Sequence, residues 1–134
     1  METEFANREK KGRTYLICPG TFACHIGREI DKMGIETMHV WLMDGNAGGF
    51  ISSCIRHSQT EDRFILLVAC GGKTEAKLIS TSIVELEKWN QKFSAIAVLP
   101  SLLEGGINIA RTMWIADRLS ETAKRTFFIE NKFS

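Results

Sequence analysis

The alternation of β-rich runs with runs of helical period constrains this chain more than any other feature of its sequence. Runs rich in β-branched, aromatic and aliphatic residues occur at Thr14–Cys18, Thr37–Met43, Phe64–Cys70, Ser94–Leu99 and Thr126–Ile129. They are separated by stretches long enough to hold a crossover helix, and strands joined that way run parallel rather than as hairpins. Their near-continuous apolar character suits strands covered on both faces.

The intervening stretches carry the matching signal. Phe22, Ile26, Ile30 and Met33 recur at helical spacing, with Arg28, Glu29, Asp31 and Lys32 on the other side and Gly34 placed to end the helix. Thr74 to Asn90 repeats the pattern with Ile79, Ile83 and Leu86, and Ile107 to Ser120 with Ile109, Met113, Ala116 and Leu119. Phe50–His57 offers only Ile51, Cys54 and Ile55, so a short helix is expected there. With right-handed crossovers, this pattern predicts an α/β three-layer sandwich of the Rossmann or flavodoxin type, with a five-stranded parallel sheet in the order 2-1-3-4-5.

At 134 residues, 44% apolar and 25% charged, the chain fits one globular domain over 14–134 behind a polar leader over 1–13. A net charge of +1 supplies no broad positive field, which argues against sequence-independent binding to nucleic acid. The basic cluster Arg8, Lys10, Lys11 and Arg13 reads as solvated. Cys18, Cys24, Cys54 and Cys70 lie in or beside apolar runs without metal-ligand spacing, so they read as small buried hydrophobes in a reducing compartment. The leader has no apolar core and no later run reaches the roughly 18 residues of a membrane span. A cytoplasmic protein is expected.

Ligands of open parallel sheets bind beyond the carboxyl ends of the strands, where glycine lets backbone amides approach an anion at a helix start. Those ends carry Pro19-Gly20-Thr21, Asp44 to Gly49, Cys70-Gly71-Gly72-Lys73-Thr74 and Pro100 to Gly106. The Gly71-Gly72-Lys73-Thr74 turn has two readings: a phosphate held by amides, an ammonium and a hydroxyl, or a tight turn with Thr74 capping the next helix. It is not a Walker loop, because Leu67 stands where that motif needs its first glycine. His25, His39 and His57 lack metal-site spacing and read as packing or surface residues. Cys24 and His25 are helix neighbours pointing about 100° apart, which argues against a nucleophile and base pair. Trp41, Trp89 and Trp114 come from separate elements and read as core or helix-edge aromatics.

Against this background, several stretches resemble the tubulin/FtsZ family of filament-forming GTPases. Pro100, Glu104, Gly105, Leu119 and Asn131 keep the spacing of the segment that opens on the family's P-F-x-F-E-G turn. Gly34 to Phe50 aligns without a gap to G-L-x-G-V-E-F-I-A-I-N-T-D-A-Q-A-L, with N-T-D becoming Asp44-Gly45-Asn46. The family's G-G-G-T-G-[ST]-G loop corresponds to Cys70 to Ala76, which retains two glycines and one threonine. Its G-G-A-G-G-N-A loop corresponds to Pro19 to His25, which retains one glycine.

The resemblance implies a guanine-nucleotide cradle, GTP or GDP, formed by Gly20, Thr21, Asp44, Asn46, Gly71, Gly72, Lys73, Thr74, Glu104 and Asn108. Glu104 stands where the family's Glu reaches the ribose, although it also reads as an exposed turn carboxylate. Asn108 replaces a nucleotide-contacting Arg, reducing a charge-assisted contact to a neutral one. Glu75 brings a carboxylate toward the γ-phosphate region, which is unfavourable unless Lys73 offsets it. No stretch corresponds to the family's acidic catalytic loop, so no GTP hydrolysis by this chain alone is expected. Two functions follow: a degenerate module acting in protein interaction or assembly, as a homo-oligomer or with a partner, or a GTP-binding FtsZ-like protein of cell division or filament formation.

Overall fold

The computed structural model describes residues 12–69, 73–99 and 106–130, and the side chains of Lys73, Leu99, Glu130 and residues 106–112 fall outside that description. The strands are β1 (Thr14–Pro19), β2 (Met38–Met43), β3 (Arg63–Ala69), β4 (Ser94–Leu99) and β5 (Thr126–Glu130). The helices between them are α1 (Thr21–Lys32), α2 (Ala47–His57), α3 (Lys73–Lys88) and α4 (Gly106–Thr122). All strand pairs are parallel and the order is β2-β1-β3-β4-β5, as the alternating pattern predicts. Each strand lies within a residue or so of its sequence run.

The reversal of direction after β2 divides the helices unequally. Right-handed crossovers put α1 alone on one face and α2, α3 and α4 on the other. The larger core accordingly unites Ile17, Leu66 and Val68 with Ile51, Ile79, Ile83, Leu86, Ile115 and Leu119. The smaller core packs Leu16, Cys18, Leu67 and Ala69 against Ala23 of α1, with Ile26 and Ile30 beside them. In α3 the apolar stripe falls where its spacing puts it, and the one buried hydroxyl, Ser82, donates to the Leu78 carbonyl one turn back at 2.7 Å.

Two helices differ from the reading of their periodicity, and a third starts earlier than expected. In α1 the buried residues are Ala23, Cys24 and Gly27, while Phe22 and Met33 are exposed. The helix lies so close to the sheet that a Cβ on Gly27 would stand 2.6 Å from Cys18 Sγ and 2.9 Å from Leu42 Cδ2. Small side chains therefore face the sheet and the large ones are displaced to its margin. In α4, Met113 is exposed and the core positions are Ile115 and Leu119. Finally, α2 starts at Ala47, so Gly48 and Gly49 are helical and only Asp44 to Asn46 form the expected loop. Gly34 ends α1 as expected, with φ at +68° and its amide donating to the Asp31 carbonyl at 3.1 Å.

Candidate functional site

The carboxyl ends of β1 and β2 and the start of α3 meet at one rim. Gly20 has φ +96° and follows β1 directly. Its amide donates to the Met43 carbonyl at 2.7 Å, extending the β1–β2 pairing by one bond. That amide is therefore engaged in the sheet, while its carbonyl accepts the Cys24 amide at 2.9 Å and starts α1. Thr21, the first residue of α1, is exposed, and the helix start has no side-chain cap.

Glu75, in the first turn of α3, closes over this turn. A Cβ on Gly20 would lie 2.9 Å from Glu75 Cγ, and the Glu75 Oε2 atom is buried without a hydrogen-bond partner among the described residues. Cys24 lies beneath, its Sγ donating to the Cys18 carbonyl at 3.3 Å. Burial above all raises its pKa; the Asp44 and Glu75 carboxylates add to the rise, while a backbone hydrogen bond with Met43 and the charge of Arg28 oppose it. Asp44 and Glu75 thus both act on this thiol from the rim.

The other expected cradle residues divide by location. Asp44 and Asn46 are exposed in the turn after β2, with Asn46 in the left-handed region at φ +47°. Its side chain makes no cap and folds toward Gly49, whose Cβ position is 2.9 Å from Asn46 Nδ2. Lys73 and Thr74 open α3, Thr74 being exposed, and Asn108 lies in the first turn of α4. Gly71, Gly72 and Glu104 lie outside the described residues, as do the Met1–Lys11 leader and Asn131. The structure therefore brings Gly20 together with Glu75 and sets Asp44 near both.

No family model and no curated protein matches this chain. The functional reading consequently depends on its own residues. Among the described residues, no group of three His, Cys, Asp or Glu side chains is arranged to hold a metal ion, and no helix is long and apolar enough to cross a membrane. His25, His39 and His57 are all exposed.

Two features have no counterpart in the sequence reading. Phe127, Phe128 and Ile129 of the edge strand β5 are consecutive and exposed. Arg63, Lys92, Lys124 and Arg125 gather at the opposite rim, around a cavity between the strand starts. The parallel order supplies the missing signal for the second: cations at or just before successive strands share one rim.

The buried thiols give a pH prediction. Burial is the main cause raising Cys18 and Cys54 from 9.0 to about 12. A thiol with its folded pKa above its unfolded one contributes stability that is fully present below pH 9.0 and lost as pH climbs toward about 12. The melting temperature should therefore fall across that alkaline window. At pH 8 these thiols should resist an aromatic disulfide reagent until denaturant is added; rapid reaction in the folded state would contradict the burial.

Proposed function

We propose that this chain is a degenerate tubulin/FtsZ-like module that acts in protein interaction or assembly and does not hydrolyse GTP on its own. The observation that carries this reading is the β5 edge, where Phe127, Phe128 and Ile129 are 58%, 52% and 51% exposed. Neighbouring strand residues point to opposite faces, so three consecutive exposed apolar side chains mean that both faces of the edge are open. An edge strand also presents unpaired amides and carbonyls, and a hydrophobic one without an internal charge is a template for another chain.

A second copy fits this edge. Antiparallel pairing centred on Phe128 sets Phe127 opposite Ile129 of the other copy and brings Phe128 against itself. In that register Glu130 stands opposite Thr126, one position along from Arg125 of the other copy. The opposite edge, β2, is less open, because α1 lies over one of its faces and Trp41 packs on Tyr15 and Phe50 on the other.

The nucleotide rim supports interaction over catalysis. Its Gly20 turn has its amide engaged and a glutamate packed over it. Light scattering across a concentration series should show a reversible monomer–dimer equilibrium. Magnesium with GTP, GDP or ATP at that rim should leave the melting temperature unchanged, whereas a ligand at 100 times its dissociation constant would add about 2.7 kcal/mol. A strictly monomeric protein at high concentration refutes the assembly reading, and steady GTP turnover refutes the non-hydrolysing one.

A further inference from the structure

We infer that the amino-terminal rim of the sheet holds a second site, for a small, multiply charged oxyanion. The rim encloses a cavity of about 550 Å³ between the starts of β1, β3, β4 and β5. This is the size of a small-molecule site and larger than one inorganic phosphate requires. Arg63 opens β3, Lys92 precedes β4, and Lys124 and Arg125 precede β5, so three separate connections each deliver cations to the same opening.

Four positive charges meet one carboxylate in the lining, that of Asp62. Its Oδ1 accepts the Arg13 amide at 2.9 Å and its Oδ2 the Gln59 amide at 2.7 Å, so both oxygens are held by backbone donors. None of the four cations makes an ion pair among the described residues, whose salt bridges are Lys32–Glu29, Lys88–Glu85 and Arg118–Glu87. A chain with a net charge of only +1 thus gathers four cations around a concavity whose described lining holds one carboxylate. Mutual repulsion opposes such an arrangement, and a concave wall focuses the resulting field on an incoming anion. Asn90, Gln91 and Ser94 add neutral polar groups to the lining.

Two arginines provide planar forks suited to oxyanion geometry, and two lysines provide point charges. Phosphate and carboxylate groups share that chemistry, so tripolyphosphate and citrate serve as separate probes of the site. At constant ionic strength, nitrogen–proton correlation spectra of the full chain should show saturable shifts confined to residues 59–65, 90–94 and 124–127. Preference for one probe identifies the ligand class. Arg63 and Lys124 are exposed, and the double variant Arg63→Gln/Lys124→Gln should keep a dispersed spectrum while its affinity falls about tenfold or more. Lys92→Gln/Arg125→Gln supplies an independent pair should the first lose its fold.

Shifts that never saturate, that spread over lysines elsewhere, or that persist unchanged in both folded variants overturn the site. A response to GTP that vanishes in these variants belongs to this cavity. One that persists belongs to the opposite rim and counts against the function proposed above, leaving this site standing.

Discussion

Gly27→Val is expected to destabilise the protein by about 3 kcal/mol or more, the upper part of the range for overpacked cores. Removing glycine from a helix interior helps folding, by less than about 1 kcal/mol when the replacement is β-branched. The clash outweighs this, because the first added carbon already lies 2.6 Å from the buried Cys18 Sγ and the branching methyl groups reach further. The Cys18 sulfur has little room to retreat, because Cys18 is fully buried and pairs with Leu42 of β2. Thermal or urea unfolding should show a loss of on the order of 10 °C in the midpoint. Gly34→Asn is the matching control, since Gly34 has open space around its Cβ position and its left-handed backbone is one that asparagine tolerates. Equal stability of Gly27→Val and the parent would show that α1 sits farther from the sheet than described.

Phe128→Lys is expected to abolish self-association. The pairing described above brings this residue against its own copy, so one substitution removes aromatic contact from both partners and sets two ammonium groups together. Loss of a central aromatic anchor costs about 2 kcal/mol or more per copy, enough to weaken the dimer by several hundredfold or more. The three apolar side chains expose about 300 Å² per copy, against roughly 800 Å² per partner in stable complexes, so the parent equilibrium should be concentration-dependent. Folding should tolerate the change, because Phe128 is already half in solvent. Sedimentation or light scattering of both proteins at matched concentrations tests it. A variant that dimerises as strongly as the parent moves the contact away from β5.

The sheet was legible because its strands are continuous apolar runs and each connection is long enough for a helix. Direction follows from those two facts, whereas the order 2-1-3-4-5 is the simplest common arrangement of five such strands and is not forced by them. Which helix residues face the sheet was less legible. In α1 the spacing of Phe22, Ile26, Ile30 and Met33 marks an apolar side, yet steric closeness places Ala23 and Gly27 against the strands. In α4, Met113 and Trp114 are exposed although both are apolar, and Ile115 takes the core.

The rim was legible in part. Gly20 and Asp44 lie on one rim as the carboxyl-end rule requires, whereas the packing of Glu75 on the Gly20 turn had no signal in the sequence. The engagement of the Gly20 amide with Met43 was not readable, since it depends on how far β1 and β2 continue to pair. The basic rim was not legible because its members come from three connections far apart in the sequence.

The strand order also separates the two partners of β1 widely along the chain. Thr14 pairs with Met38 on one side and with Arg63 on the other, so β1 acquires its neighbours at very different stages of chain growth. The β1–α1–β2 unit can close early, and β3 must then travel past it to dock on the vacant flank of β1. Until that docking, the hydrogen-bonding flank of β1 that belongs to β3 stays open, which makes it the point most vulnerable to mispairing while the nascent chain emerges.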